Sequence, residues 1–328
     1  MKKLLLTVLC LALVLSITAC SSNQSEIKLL EDNTKETATT SGDDTTKNIA
    51  LVMKTLTNPF FIEMEKGARV AEEEFGINLT VKTGAQETSI DQQIKIVEDL
   101  ILSNVDAIVI APGSSTELIP VLKKAQDAGI VIVNIDNQLD PKLSEEKGLV
   151  NVPFISVDNV EGAYLSAKYI SDMIKTPSRV AIIGGISTAK NAQDRAAGAL
   201  KAFKENSNIT SIETISANWK IDEAYEATKA LFVKYPDIKA IFCANDMMAL
   251  GTIEYLKEKN KTQVLVAGFD ALAEAEEAIK QKTMMVTIDQ QASVQGYEGV
   301  KCALDIMNGV TVEQQRIIDV KLVTVNTL

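Results

Sequence analysis

The chain has 328 residues, 46% of them hydrophobic, which is long enough and apolar enough for two domains. Its 44 acidic and 33 basic residues give a net charge of -11, and such a surface repels phosphate backbones, so we expect no nucleic-acid partner. Histidine is absent, which removes the commonest general base and the commonest zinc ligand, although carboxylate or lysine chemistry remains open. We expect neither a metal nor a cofactor.

The N-terminus has the pattern of a secretory signal. Two lysines precede an apolar run, Leu4–Leu15, which is too short to span a membrane, and small residues follow it. The segment ends in Ile17-Thr18-Ala19-Cys20, which resembles a bacterial lipobox. We expect cleavage after residues 1–19 and attachment of lipid to Cys20. The alternative is an ordinary signal peptide with an incidental cysteine.

Residues 20–47 are polar and rich in Ser, Thr, Asp and Glu. They have too few apolar side chains to order themselves, so the sequence predicts a flexible tether that holds a globular body away from a membrane. Beyond the tether, the remaining thiols are Cys243, in an apolar strand run, and Cys302, on a predicted helix. We expect buried free thiols here rather than a disulfide.

From Asn48 onward, short apolar strands alternate with amphipathic helices. Strand patterns cover Ile49–Met53, Asn78–Thr83, Ala107–Ile110 and Val131–Ile135. Helical patterns cover Phe60–Phe75, Ile90–Leu102 and Thr116–Ala128. This alternation predicts a parallel sheet with helices on both faces.

A second series begins near Phe154 and has the same order and spacing. Its strand patterns cover Arg179–Ile183, Thr210–Ile215, Ala240–Cys243, Val264–Gly268 and Met285–Ile288. Its helical patterns cover Val160–Lys175, Gln193–Lys204, Asp222–Lys234, Met247–Lys259 and Ala271–Lys280. A last helix, Ser293–Asn308, and a last strand, Ile317–Val325, then let the chain cross back.

The sequence therefore predicts an α/β fold of two similar lobes, each a parallel sheet flanked by helices, joined by a hinge of several strands. We expect the N-lobe to contain residues 48–157 and 291–319. The C-lobe should contain residues 158–290 and 320–328.

The first strand is followed by a loop that carries two adjacent aromatic residues. Pro59 suits the first turn of a helix, and Phe60 and Phe61 come directly after it. Adjacent helical side chains point about 100° apart, so one ring is expected to face something outside the core. The carboxyl end of a strand in such a sheet is where ligands usually bind. Ordinary packing of both rings is the alternative.

Polar side chains recur where predicted strands end, namely Asn58, Asp136, Asn245, Asp270 and Gln290. Taken singly, each has a structural explanation as a turn residue or a helix cap. The only tryptophan, Trp219, lies on a polar loop, where it is either a stacking platform or a lid on the local core. Together, amides, carboxylates and aromatic rings suit a polyol. Gly184-Gly185 lacks the full spacing of a dinucleotide-binding loop.

From about Lys47 to its end, the chain resembles the ribose- and allose-type periplasmic sugar-binding proteins of ABC importers. The resemblance lies in the segments Lys54–Phe61, Ile135-Asp136, Ala217-Asn218-Trp219, Cys243–Gly251, Gly268-Phe269-Asp270 and Thr287–Gln290. It implies that the polar strand-end residues bind sugar hydroxyls. It also implies that Phe60 and Phe61 form one aromatic wall and Trp219 the opposite wall.

Three positions depart from the ribose type. Lys54 stands where ribose-type proteins have Ser, which is similar to the allose type, and Asn137 stands where they have Arg. Their second cleft Arg aligns near Gln193, with Arg195 close by. We add Lys54, Asn137, Gln193 and Arg195 to the expected binding site, and expect a hexose-sized sugar, with allose-like sugars ahead of ribose.

The resemblance implies a monomeric, lipid-anchored binding protein outside the cytoplasmic membrane that delivers a monosaccharide to a permease and has no catalytic residues. A receptor for chemotaxis or signalling, or a binder of inositol or a nucleoside, remains open. A sugar-responsive repressor would need a DNA-binding helix-turn-helix where this chain has a signal peptide. An enzyme that uses Asp136 and Asp270 as an acid–base pair is the other rival.

Overall fold

The computed structural model describes residues 46–328 of the chain. The predicted signal peptide, the predicted lipidation site Cys20 and the tether up to residue 45 lie outside the described residues. In the described part, no helix has the length and apolar character needed to span a bilayer. Cys243 and Cys302 are both free thiols among these residues.

Two six-stranded sheets organise the described chain. The first contains β1 (Asn48–Met53), β2 (Asn78–Thr83), β3 (Ala107–Ile110), β4 (Val131–Ile135), β5 (Phe154–Val157) and β11 (Gln315–Ile318). The second contains β6 (Ser178–Gly184), β7 (Ile209–Ser216), β8 (Ile238–Cys243), β9 (Leu265–Ala267), β10 (Val286–Asp289) and β12 (Lys321–Thr324). The strand orders are β11-β5-β4-β3-β1-β2 and β12-β10-β9-β8-β6-β7.

Ten helices of the described chain connect and cover these strands. They are α1 (Pro59–Phe75), α2 (Ile90–Leu102), α3 (Ile119–Asp127), α4 (Pro141–Glu146), α5 (Asn159–Ser171), α6 (Lys190–Lys204), α7 (Ile221–Lys234), α8 (Asp246–Glu258), α9 (Ala273–Lys280) and α10 (Ala292–Met307).

Pairing within the sheets is parallel except between β10 and β12. Central strands such as β3 are buried along their whole length, because helices cover both faces of each sheet. The prediction of two α/β lobes with parallel sheets is thus confirmed. Each sheet ends in a strand from the C-terminal part of the chain, β11 in one and β12 in the other.

Helix α1 has defined ends and packs closely on α10. Asn58 Oδ1 accepts from the N–H of Phe60, and Gly76 adopts the left-handed conformation (φ 62°) at the C-cap. A Cβ on Gly67 would lie 1.8 Å from the carbonyl oxygen of Ser293, and one on Gly296 would lie 2.0 Å from that of Met64. These two glycines let the helices approach backbone to backbone, which ties α10 to the N-lobe.

The C-terminal prediction was wrong in one respect. The single strand expected over Ile317–Val325 is two strands, β11 and β12, which belong to different sheets. The chain leaves one sheet and enters the other at Asp319-Val320. Apolar residues alternate with charged ones through this junction, at Ile318, Val320 and Leu322, so the sequence pattern predicts one continuous strand. The short helix α4 was also not predicted.

The chain passes between the two sheets at three places. These are Val157-Asp158 after β5, Gln290-Gln291 after β10, and Asp319-Val320 between β11 and β12. At the second, Gln291 has φ 53°, and its Nε2 donates to the carbonyl oxygen of Asp319 at 2.5 Å. Two of the three passages are therefore hydrogen-bonded to each other.

Candidate functional site

Side chains at the carboxyl ends of strands from both sheets line one small cavity, whose accessible volume is about 10 Å³. Its lining comprises Lys54, Asn58, Phe60, Phe61, Glu87 and Asp136 from the N-lobe, and Asn191, Arg195, Trp219, Asn245, Asp270 and Gln290 from the C-lobe. Ten of the twelve residues predicted from the sequence are among them.

On the N-lobe side, Lys54 lies between two carboxylates. Its Nζ is 2.7 Å from Asp136 Oδ2 and 4.0 Å from Glu87 Oε2, and all three side chains are buried. Burial raises the pKa of Glu87, and the Lys54 cation opposes this shift. Asn58 Nδ2 also donates to Glu87 Oε1 at 2.9 Å. The result is a buried cluster of one cation and two carboxyl groups.

Arg195 organises the C-lobe side. Its Nε donates to Asn159 Oδ1 at 2.8 Å, and its terminal nitrogens donate to the Ala244 carbonyl at 2.9 Å and to Gln290 Oε1 at 3.1 Å. The guanidinium carbon lies 3.8 Å from the centroid of the Phe269 ring. Burial lowers the pKa of Arg195, and the Asp270 carboxylate at 3.5 Å opposes that shift. Arg195 is thus fixed in position by protein groups on nearly every side.

Asp270 lies on a loop with unusual backbone geometry. Asp270 and Ala271 have φ of 126° and 56°, where L-residues are rare. Its Oδ1 accepts from Gln290 Nε2 at 2.6 Å, and burial raises the pKa of its carboxyl group well above the usual range. Such strained residues persist only where the surroundings hold them in place.

The group that holds this loop is Asp246, which lies behind the cavity lining. Its carboxylate accepts from the N–H of Leu272 at 2.9 Å and from Thr287 Oγ1 at 2.8 Å. A Cβ on Gly268 would lie 2.1 Å from Asp246 Oδ1, so only glycine leaves room for this carboxylate. Burial raises the pKa of Asp246 to about 6. Asp246 therefore fixes the path of the Asp270 loop.

Three aromatic rings complete the lining. Phe60 and Phe61 pack edge to face with centroids 5.0 Å apart. Lys54 Nζ lies 5.5 Å from the Phe61 centroid and 6.0 Å from that of Trp219, so the cation is near rings from both lobes. Trp219 itself has φ 69° and covers Gly185, where a Cβ would lie 2.2 Å from its ring. The tryptophan is therefore a buried wall of the cavity.

The two lining asparagines, Asn58 and Asn245, are also helix caps. Asn245 Oδ1 accepts from the N–H of Met248 at 2.9 Å, as Asn58 does at the start of α1. Its Nδ2 has only a long contact, 3.4 Å, with the carbonyl oxygen of Trp219. Capping and cavity lining are thus compatible in one side chain, because the cap uses the oxygen and leaves the amide nitrogen for the cavity.

Some buried polar atoms of the lining have no hydrogen-bond partner among the described residues. Asn191 Oδ1 and Trp219 Nε1 are two of them, and Asp136 Oδ2 has the Lys54 ammonium beside it but no aligned donor. A buried polar group without a partner costs about 1–3 kcal/mol. A donor-and-acceptor ligand in the cavity would satisfy these atoms.

The structure does not bring Asn137 and Gln193 to the cavity. Gln193 is exposed, and its side chain donates to the Ser187 carbonyl. It lies two residues before Arg195 on the same helix, which places the two side chains about 200° apart around the helix axis. Asn137 is buried between loops, where its Nδ2 donates to the Pro112 carbonyl at 3.1 Å. The sequence reasoning had in turn missed Glu87 and Asn191.

The fold and the cavity define a two-lobed α/β binding protein with its candidate site between the lobes. The periplasmic binding protein domain family matches residues 49–311, and the chain belongs to this family. The D-ribose/D-allose-binding protein of Pseudomonas aeruginosa is 39% identical over 271 residues, which are 82% of this chain and 84% of that protein. The D-allose-binding periplasmic protein of Escherichia coli is 32% identical over 258 residues, 78% of this chain and 83% of that protein.

A similar solved structure supports the same family. An ABC transporter periplasmic solute binding protein from Actinobacillus succinogenes, solved with bound D-allose, is 36% identical. It covers 85% of this chain and 98% of its own length, with a TM-score of 0.80. The resemblance stated from the sequence is confirmed.

Proposed function

We propose that this protein binds a monosaccharide or a related polyol between its lobes and delivers it to the membrane permease of an ABC importer. The observation that supports this most directly is the cavity itself, in which buried cations, carboxyl groups, amides and aromatic rings from both lobes converge. We propose further that the protein works as a monomer outside the cytoplasmic membrane, anchored through lipid on Cys20. A receptor role in chemotaxis or signalling uses the same binding event and is the second candidate.

The charge pattern of the cavity favours a neutral ligand. Its lining has two cations, Lys54 and Arg195, and three carboxyl groups, Glu87, Asp136 and Asp270. The cations are already paired with carboxylates, so a phosphate would meet more negative than positive charge. A sugar hydroxyl both donates and accepts, and therefore matches carboxylates and cations at the same time.

A sugar also fits the walls. The C–H faces of a pyranose are apolar and pack on aromatic rings, which Phe60, Phe61 and Trp219 supply. Micromolar binding needs about 8 kcal/mol, or roughly 0.7 kcal/mol for each of about 12 heavy atoms of a hexose. That efficiency needs nearly complete burial of the ligand, so we propose that the lobes close around it.

Among sugars, we propose that allose-like hexoses bind more tightly than ribose. Lys54 is the residue that supports this choice, because it places a buried ammonium where ribose-type proteins have a hydroxyl. One similar protein is named for D-allose, another is named for both D-ribose and D-allose, and a similar structure contains D-allose.

Calorimetry and thermal shift with D-allose, D-ribose, myo-inositol and a nucleoside test the proposal. At 100 times its Kd, a ligand should stabilise the folded protein by about 2.7 kcal/mol, which corresponds to a rise in Tm of roughly 5–10 °C. A panel in which no sugar or polyol raises Tm or releases heat would contradict the proposal. Recovery of a chemically altered sugar after long incubation would instead support the enzyme alternative.

A further inference from the structure

Helix α6 begins without a cap from its own lobe. The first N–H groups of any helix lack partners inside it, and a side chain at the N-cap usually satisfies one of them. In α6 the N-cap is Ala189, whose methyl group accepts nothing. The N–H groups of Lys190 and Asn191 must therefore find acceptors elsewhere.

They find them in the other lobe. Ser115 Oγ accepts from the N–H of Lys190 at 3.0 Å, and Asn137 Oδ1 accepts from the N–H of Asn191 at 3.1 Å. Ser115 lies in the loop after β3 and Asn137 in the loop after β4, whereas α6 packs on α5 and β6. Both side chains are buried.

Other groups of the N-lobe hold the two acceptors in place. Asn137 Nδ2 donates to the Pro112 carbonyl at 3.1 Å and lies 3.3 Å from Ser115 Oγ. The carbonyl of Ser115 accepts from the N–H of Asp140 at 2.7 Å. Neither side chain belongs to the cavity lining, and the polar atoms of both are engaged with protein groups.

We propose that Ser115 and Asn137 form a latch that caps α6 only when the lobes are closed, and so determine affinity without contacting the ligand. In the open form, water replaces both caps. The latch therefore stabilises only the closed form. The inference rests on the proposed function, because closure is taken to accompany ligand binding.

The latch predicts a specific pattern of binding constants. When the binding-competent closed form is a minor population, the apparent Kd is the intrinsic Kd divided by that population. Loss of one helix cap should lower the closed population by roughly twofold to thirtyfold. Since no ligand atom touches the latch, every ligand should lose affinity by the same factor, and ratios between ligands should not change.

Calorimetry with D-allose and D-ribose tests this on Ser115→Ala and Asn137→Ala. We expect Kd to rise for both sugars in parallel, with their ratio constant to within about twofold. The matched control is Asp106→Ala, which removes a side-chain acceptor within the N-lobe and away from the latch, where Oδ2 accepts from the N–H of Asn48 at 2.7 Å. It should lower Tm but leave Kd unchanged. An unchanged Kd in both latch variants, or a changed ratio, would overturn the proposal. Ser115→Ala decides alone if Asn137→Ala does not fold.

A second measurement reports on the N-terminus of α6 directly. With saturating sugar, hydrogen exchange of a peptide covering residues 189–192 should be faster in Ser115→Ala and Asn137→Ala than in the unaltered protein, and should not change in Asp106→Ala. Sugar binding with equal exchange in all four proteins would overturn the latch alone. If the unaltered protein binds no sugar, the proposed function fails, and with it the closure on which the latch rests.

Discussion

The ammonium of Lys54 lies 2.7 Å from the carboxylate of Asp136, and each residue is only 2% exposed. Removal of one partner from such a pair leaves the other charge buried and uncompensated, which costs more than the pair itself contributes. Both residues also line the cavity in which a ligand would bind. Its integrity should therefore influence affinity more than a surface ion pair does.

Lys54→Ser should weaken binding of the preferred hexose by about 1–3 kcal/mol, because a buried charged donor is lost. The matched control is Lys66→Ser, whose Nζ is also 2.7 Å from a carboxylate, that of Glu63, but on the exposed surface. That variant should change affinity by less than about 0.5 kcal/mol. Calorimetry with D-allose and D-ribose measures both. Tight ribose binding that is unaffected by Lys54→Ser would show that the site has been misinterpreted.

Gly185→Ala should displace the Trp219 ring, since the new Cβ would lie 2.2 Å from two of its atoms. Gly184→Ala is the control, because there the nearest atom within reach is a carbonyl oxygen 3.8 Å away. We expect at least tenfold weaker sugar binding for the first variant and little change for the second. Trp219 is the only tryptophan, so its fluorescence reports the ring position directly. Identical spectra and affinities for the two variants would argue against this packing of Trp219 on Gly185.

The free energy of unfolding should depend on pH in part through Asp246. Its folded pKa, about 6, lies above its ordinary value of 3.8, so the folded protein holds this proton more tightly than the unfolded chain. The resulting stabilisation is complete below about pH 3.8 and is lost as pH rises through about 6. Between about pH 3.8 and 6, the free energy of unfolding of the unaltered protein should fall by on the order of 1–3 kcal/mol relative to that of Asp246→Asn. Urea titrations at pH 4, 5, 6 and 7 measure the difference.

Glu87 and Asp270 also have raised pKa values, because both are buried. Glu87 is present in both proteins, so its contribution should largely cancel. The charge of Asp246 is one cause of the raised pKa of Asp270, so Asp246→Asn also lowers that pKa and enlarges the difference in the same direction. A free-energy difference between the two proteins that is constant from pH 4 to 7 would exclude the assigned shift of Asp246.

Ligand should make the molecule more compact, because we propose that the lobes rotate about Val157-Asp158, Gln290-Gln291 and Asp319-Val320. Small-angle scattering should show a smaller radius of gyration with saturating sugar than without it. A sugar that gives no heat in calorimetry serves as the control. A radius that is the same in all three samples would contradict hinge closure.

Cys20→Ser should release the protein from membranes into the soluble fraction, because the thiol that would carry lipid is removed. Cys10→Ser, within the apolar run of the predicted signal, is the matched control and should leave membrane attachment unchanged. Fractionation followed by mass measurement of the mature N-terminus distinguishes the two. Membrane retention of the Cys20→Ser protein would rule out the anchor.

The sequence predicted the central strands well because they are short apolar runs between polar loops, as in β3 and β4. It predicted most of the cavity for a related reason. Parallel strands place their carboxyl ends together, so polar residues such as Asp136 and Gln290 could be grouped by their position at strand ends alone. Glu87, in the loop after β2, follows the same rule and could have been found in this way.

Other features needed information that local patterns do not contain. The buried stripe of α6, which includes Ala192, Arg195 and Ala199, shows by helical phase that Gln193 faces away, so that error was avoidable. The position of Asn137 was not predictable, because its partner, the N–H of Asn191, belongs to the other lobe. The division of the last strand between two sheets depends likewise on contacts between distant parts of the chain.

The placement of α10 and β11 has a consequence for the order in which the molecule is made. Both belong to the first sheet's lobe, yet they follow the whole second series in the chain. A nascent chain that has been synthesised as far as β10 still lacks the helix that covers α1 and the edge strand that pairs with β5. Its first lobe cannot complete its core until synthesis is nearly finished.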